Sequence, residues 1–379
     1  MEPRLQSISE EGDILHFTLH DIDVCFANAI RRTLLSDIPV IAIRTETYET
    51  NQCEIHTNTG RLHNEIMKQR ISSIPIHSKK LQDDEDGKAL PNHYQLEVHV
   101  KNDSPNVRYV TTEDFHIKEK DSDKLLTRDE QQRLFPDLFP KDTQTQSYID
   151  FARLRPKLGD GLEGEELHLT ADFSIATAKE NSMFNVVSKC SYGNTRDEAK
   201  VTQAWEQQEQ KLRQEGENED DIRFQKKNYM LLDAQRQYKK NSFDFILQTI
   251  GIYENRELIR KACIVLQNKF IDFIQNLDSD IVPIQLSETT MENCYDMVLE
   301  DEDYTMGRCI QYMVYNKYFE NSKVLSFCGF KKFHPHDKNS KLRLAFVNKS
   351  DKSRVKECVR ESCVIIQEVF KKVFAMFKD

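Results

Sequence analysis

The stretch Asp21–Ile43 constrains the chain most: Asp-Ile-Asp-Val-Cys-Phe-Ala-Asn-Ala-Ile-Arg-Arg-Thr-Leu-Leu-Ser-Asp-Ile-Pro-Val-Ile-Ala-Ile. Asp23 can accept hydrogen bonds from the first free amides of a helix opening at Val24. Ala27, Ile30 and Leu34 recur at helical spacing and form one apolar stripe. Asn28, Arg31 and Arg32 fall mostly off that stripe. Pro39 cannot continue the helix and drives Ile38 toward extended backbone, so 38–43 reads as a buried strand. The fold must therefore accommodate a capped helix with one apolar and one doubly cationic face, followed at once by a strand. On periodicity alone, Arg31 and Arg32 are a solvated helix face.

The whole string points further. Phe26-Ala-Asn-Ala-Ile-Arg-Arg-Thr-Leu-Leu-Ser-Asp-Ile-Pro39 resembles the first-helix motif of the alpha-like assembly subunits of DNA-directed RNA polymerases. That family comprises bacterial alpha, archaeal subunits D and L, and eukaryotic subunits 3 and 11. Asn58–Ile76 reads as a polar start, a short helix with Leu62 and Ile66 one turn apart, and an exit into a strand at Pro75. It is similar to the family's second signature through Arg70, Ile71, Ile74 and Pro75, with Ser72 and Ser73 in place of the usual middle. Ala178–Val187 resembles the loop bearing a Lys-Glu-His phrase, with Asn181 at the histidine position.

Composition narrows the class. The 379 residues suffice for two or three domains, 31% are charged and the net charge is −10. That balance argues against broad nucleic-acid coating. No apolar run approaches the roughly 18 residues of a membrane span. The N-terminus lacks the apolar core of a secretory signal, and nine scattered cysteines without a Cys-x-x-Cys fit reduced thiols inside a cell.

Residues 5–20 alternate loosely as a strand feeding the first helix. Residues 80–165 read as an inserted stretch with an acidic turn (83–87), an alternating strand (94–100) and an apolar loop, Leu134-Phe-Pro-Asp-Leu-Phe-Pro140. A strand at 166–175 returns to the first domain. Residues 195–240, rich in Gln, Glu, Lys and Arg and holding the single tryptophan, Trp205, read as a charged helix or helical hairpin, with a partner-binding arm as the alternative. Phe243–Leu247 is a strand. The helix from Asn255 to Leu277 carries Leu258, Ala262, Val265, Leu266, Lys269, Phe270, Phe273 and Leu277 on one face, with Lys269 the only charge on it.

After a connector at 278–284 the opening logic repeats. Acidic residues at 300–303 cap a helix with Met306, Ile310, Met313 and Val314 on one side, and a terminal helix carries Val355, Val359, Cys363, Ile366, Phe370, Phe374 and Phe377. The stretch resembles the family's smaller partner. Glu302, Asp303, Thr305 and Gly307 match its Glu-Asp-His-Thr-Leu-Gly signature, with Tyr304 and Met306 substituted, and Phe330 with His334-Pro335 matches an aromatic–histidine–proline phrase.

Other chemistry is weaker. Gly159-Asp-Gly-Leu-Glu-Gly164 fits a dinucleotide fingerprint on paper, but Arg155-Pro156 precedes it, a strand follows it, and Glu163 and Glu165 would repel phosphate. The 83–87 turn lacks a calcium-loop ligand set. Carboxylates at 300–303 are more simply caps than a magnesium site. His334 and His336 have no zinc-type spacing around them, no nucleophile context stands out, and no metal or cofactor is expected.

The expected fold is α+β: two alpha-like dimerisation modules paired within one chain, the first carrying an inserted subdomain. The first (subunit 3-like) module spans 1–46 and 165–277, the inserted subdomain 47–164, the charged helical insertion 195–240, the linker 278–284, and the second (subunit 11-like) module 285–379. The resemblance implies a non-catalytic assembly platform that docks the two largest polymerase subunits and small ones, without sequence-specific DNA contact or membrane attachment. Implied interface residues are Phe26, Asn28, Ile30, Arg31, Arg32, Leu34, Arg70, Pro75, Asp303, Thr305, Gly307, His334 and Pro335. Fusion of the modules is the arrangement found in polymerases of large cytoplasmic DNA viruses. It implies an intracellular protein, in virion and host cytoplasm if viral and otherwise nuclear. A stand-alone protein-interaction adaptor and an enzyme with an unseen site are the rival readings.

Overall fold

A computed structural model describes residues 1–83, 89–157, 159, 161 and 163–378. In chain order the elements are β1 (Arg4–Glu11), β2 (Ile14–His20), α1 (Val24–Ser36), β3 (Val40–Ala42), β4 (Cys53–Asn58), α2 (Asn64–Ser72), α3 (Leu90–His93), β5 (Tyr94–Asn102), β6 (Arg108–Thr111), β7 (His116–Glu119), α4 (Arg128–Leu134), β8 (Asp150–Leu154), β9 (Glu165–Asp172), β10 (Ser174–Ala176), β11 (Val187–Arg196), α5 (Glu198–Gln214), α6 (Glu219–Leu231), β12 (Tyr238–Thr249), α7 (Asn255–Asp278), β13 (Ile284–Leu286), β14 (Cys294–Leu299), α8 (Tyr304–Val314), β15 (Leu325–Lys331), β16 (Ser340–Phe346) and α9 (Lys352–Met376). The chain is mixed α and β and divides into two compact units.

The first unit holds residues 1–34, 189–248 and 255–379. One sheet runs β1-β2-β12-β11 and another β13-β14-β16-β15. Long antiparallel registers fix the strands, with Phe17 opposite Phe245 in the first sheet and Tyr295 opposite Leu344 in the second. Helices α1, α7, α8 and α9 bury the apolar faces that their periodicity marks out. α7 packs along α9, and α9 also packs on α8 and β1. Asn255 opens α7 by donating to the Asp13 carbonyl at 2.9 Å and to Glu10 at 3.1 Å. The charged insertion is a helical hairpin: α5 and α6 enclose a small core of Val201, Trp205, Ile222, Tyr229 and Ala234.

The second unit holds residues 35–188 and 249–254. Its main sheet runs β4-β9-β5-β7, beside the short pairs β6-β8 and β10-β3. Alternation along β5 buries Tyr94, Leu96, Val98 and Val100. Phe135, Leu138 and Phe139 from the Pro-containing loop enter the same core, so that loop packs inward. The unit reaches past 47–164 on both sides because β3 pairs with β10 and Tyr253 donates its hydroxyl to the Pro39 carbonyl at 3.0 Å.

Two local readings differ from the sequence. The helix expected around Leu62 starts at Asn64, so Leu62 precedes it and the buried face is Met67 and Ile71, with Ile66 outward. Residues 73–80 form no strand. The acidic turn 83–87 lies, beyond Asp83, outside the described residues, as do residues 160 and 162 of the glycine-rich loop. Gly164 has its own reason: a Cβ there would lie 1.9 Å from the Asn102 carbonyl oxygen of the neighbouring strand.

Candidate subunit interface

α1 is built as its sequence dictates. Asp23 Oδ1 accepts from the Cys25 amide at 2.9 Å, and Phe26, Ala27, Ile30 and Leu34 are buried. The Phe26 ring meets Phe370 of α9 at 5.5 Å between centroids and Tyr312 of α8 edge-on at 6.1 Å. Phe370 also stacks on Phe270 of α7 at 6.1 Å. Phe17 stacks on Phe245 at 4.9 Å and takes Phe377 edge-on at 5.1 Å. Pairs of this geometry add about 0.5–1.5 kcal/mol each beyond the area they bury.

The polar face of α1 is used as well. Arg32 Nε donates to Thr305 Oγ1 at 2.8 Å, and its Nη2 donates to Asp303 Oδ2. Asp303 is the N-cap of α8, and its Oδ1 accepts from the Thr305 amide at 2.8 Å. One carboxylate therefore caps α8 and binds the guanidinium of α1. Burial alone would raise the Asp303 pKa. The Thr305 amide, the Arg32 charge and the Thr305 hydroxyl reverse that, and the carboxyl ends below its ordinary value.

Arg31 is held differently. Its Nε and Nη2 donate to Asn28 Oδ1 at 3.1 and 3.0 Å. Among the described residues no carboxylate pairs with it. Arg31 and Asn28 thus form a half-buried hydrogen-bonded pair, Arg31 donating and Asn28 accepting, on the side of α1 away from its apolar stripe.

Gly307, in the first turns of α8, lies under Phe330 of β15. A Cβ at 307 would sit 1.9 Å from Cε2 of that ring. Tyr304 meets the same ring edge-on at 5.5 Å and Arg308 lies over it at 5.9 Å. His334 and Pro335 lie in the exposed turn after β15, where the His334 amide donates to Asp337 at 2.9 Å. In the second unit, Arg70 donates from Nε and Nη2 to the carbonyls of Phe151 and Asp150, each at 2.7 Å. An open cavity of about 380 Å³ beside it is lined by Arg70, Ile74, Pro75, Ile149, Asp150 and Phe151.

Sequence reasoning missed several polar anchors. Arg44 binds Glu180 through two nitrogens and donates to the Ile175 carbonyl at 2.6 Å. The Arg44 hydrogen bond pulls the Glu180 carboxyl below its usual range. Asn181 caps the turn 182–184 by accepting from the Met183 amide at 3.0 Å. Arg343 grips Asp296 across β16 and β14 at 2.6 and 2.8 Å. The sulfur of Cys309 donates to the Cys25 carbonyl at 3.6 Å, a second polar tie between α8 and α1. Burial raises the thiol pKa values of Cys53 to about 11 and of Cys263 to about 12, which suits neither to nucleophilic work at neutral pH. Among the described residues, no group of three or more His, Cys, Asp or Glu side chains is placed to hold a metal ion, and no helix is long and apolar enough to cross a membrane.

Comparison with known proteins gives this arrangement a family. Residues 16–270 match the RNA polymerase Rpb3/Rpb11 dimerisation domain, and the chain belongs to that family. It is 28% identical over 211 residues to human DNA-directed RNA polymerases I and III subunit RPAC1, covering 50% of this chain and 53% of that protein. It is 32% identical over 72 residues to DNA-directed RNA polymerase subunit Rpo3 of Pyrococcus furiosus, covering 19% of this chain and 25% of that protein. It is 35% identical over 70 residues to DNA-directed RNA polymerases IV and V subunit 3B of Arabidopsis thaliana, covering 18% and 20%. The chain spans about half the length of the human relative it matches.

Proposed function

We propose that this chain is a non-catalytic assembly platform of a multisubunit DNA-directed RNA polymerase, with two dimerisation modules, 1–46 with 165–277 and 285–379, fused and paired within one polypeptide. The hydrogen-bonded set Arg32–Asp303–Thr305 carries the reading. Arg32 belongs to the subunit 3-like motif and Thr305, 273 residues away, to the subunit 11-like signature. Two motifs of one family, each with its own reason to exist, share one ion pair. The family match over 16–270 supports the first module, and the aromatic contacts of Phe370 with Phe26 and Phe270 support its pairing with the second.

Mechanism here is architecture. Either module alone would expose an apolar helix face, and pairing buries both. Fusion makes that pairing intramolecular, with an effective concentration on the order of millimolar for a short linker. The platform then presents Asn28 and Arg31 to the two large catalytic subunits, where a guanidinium suits carboxylates and backbone carbonyls. Arg70, Pro75, His334 and Pro335 are further docking points, and residues 47–164 form the insert that meets neighbouring subunits. RNA synthesis belongs to the large subunits. Fusion favours a large cytoplasmic DNA virus as the source, with transcription in the host cytoplasm.

The test is Arg31→Glu. Arg32→Glu would break the internal pair with Asp303 and confuse folding with docking, whereas among the described residues the Arg31 hydrogen bonds go to Asn28 in its own helix turn. The R31E chain should keep the native melting temperature within about 2 °C, since substitutions away from buried networks change stability by only about 0.5 kcal/mol. Co-expressed with the large subunits, it should fail to assemble. Normal assembly of R31E would remove Arg31 from the interface.

A further inference from the structure

We infer that the outer face of α6 is a docking surface for an acidic, amphipathic segment of another protein. α6 is two-faced. Ile222 and Tyr229, seven residues apart, enter the hairpin core. Phe224 and Leu231, also seven apart, sit about 200° further round the helix and point to solvent. Phe224 is 64% exposed, Leu231 72% and Leu232 68%. Single exposed apolar residues are ordinary, but a second apolar stripe at helical spacing on a helix whose inner face is already filled is a recognition pattern.

Charge selects the occupant. From the start of α6 to residue 240 lie six basic residues, Arg223, Lys226, Lys227, Arg236, Lys239 and Lys240, and four acidic ones, Glu219, Asp220, Asp221 and Asp233. Arg223 pairs with Asp220 and Arg236 with Asp233, and the basic flank is Lys226, Lys227, Lys239 and Lys240. The chain as a whole carries a net charge of −10, so this is a local reversal of sign. Lys227 lies on α6 between the Phe224 and Leu231 positions, and it is exposed. A partner must bring carboxylates to the basic flank and apolar side chains to Phe224, Leu231 and Leu232, which describes an acidic amphipathic helix. Two exposed leucines have no use for a nucleic acid, whose recognition draws on stacking and phosphate contacts. The hairpin builds this surface alone, so the inference holds whether or not the chain sits in a polymerase.

The experiment uses the full chain and a fluorescent synthetic 16-residue peptide, rich in Glu and Asp, with Leu or Phe at i, i+4 and i+7. Fluorescence anisotropy should show saturable binding that weakens with salt. A peptide of scrambled order should bind at least tenfold more weakly. F224S/L231S should lose at least tenfold in affinity. K227E, a change at an exposed position, should lose at least threefold and keeps the test decisive if the double variant disturbs the hairpin. The single tryptophan, Trp205, lies in the hairpin core and reports that directly. Equal binding of ordered and scrambled peptides, equal binding by wild type and K227E, or preference for a 16-nucleotide single-stranded RNA over the peptide would overturn the proposal.

Discussion

Gly307→Ala tests the packing of α8 through two effects of opposite sign. In a helix interior free of neighbours, replacing glycine with alanine gains about 1 kcal/mol. Here the new methyl group would lie 1.9 Å from Cε2 and 2.4 Å from Cδ2 and Cζ of Phe330. Ordinary carbon contacts lie at about 3.5–4.0 Å, so the ring must retreat by roughly 2 Å. Phe330 has little freedom to do so. It sits on β15 opposite Leu342, with Tyr304 at its edge and Arg308 over it. Overpacking of this kind costs about 1–3 kcal/mol, occasionally more, and the displacement required places this case at the upper end. The net effect is a loss of about 1–2 kcal/mol, or about 2–8 °C in melting temperature for a unit of this size. Phe330→Leu in the same chain should restore much of the loss, so that the double variant is at least about 1 kcal/mol better than additive. Thermal and urea denaturation of the four chains reads both numbers. An alanine variant as stable as wild type, or strictly additive changes, would refute the argument.

Other consequences follow from the same contacts. The Arg32–Asp303 pair is about one-third exposed on each side, at 35% and 32%; an R32A/D303A double-mutant cycle should give about 1–2 kcal/mol of coupling, between the values for exposed ion pairs and for buried charged hydrogen bonds. Because folding lowers the Asp303 pKa, its stabilisation is complete above the ordinary aspartate value of about 3.9 and is lost as pH falls through the lower folded value, so the gap between wild type and Asp303→Asn should close in acid denaturation. Phe370→Ala, fully buried against Phe26 and Phe270, should cost about 3–5 kcal/mol, read as a fall in urea midpoint.

What the sequence could show was local. Asp23 and Asp303 are caps recognisable from one residue and the stripe behind it, and both cap as expected. The faces of α7 and α9 are legible because 3.6-residue periodicity persists over more than twenty residues. The face of α2 is harder to read because a helix of nine residues gives the period little to work on, and Leu62, which sets the phase in the sequence, lies before its first turn. Arg32 looked like an outward cation because its partners stand in a different part of the chain, and no spacing rule connects them. Arg44 and Glu180 escaped for the same reason. Gly307 could be marked by motif, but the ring that requires it lies on another strand.

The most direct test of the central claim is affinity purification of the tagged chain from the cells that make it, at moderate salt, followed by mass spectrometry and a transcription assay on a DNA template. The account predicts co-purification of two very large subunits and RNA synthesis by the eluate but not by the chain alone. Recovery of the chain by itself, or with partners unrelated to RNA synthesis, would contradict the assembly-platform reading and leave a reused fold serving as an adaptor.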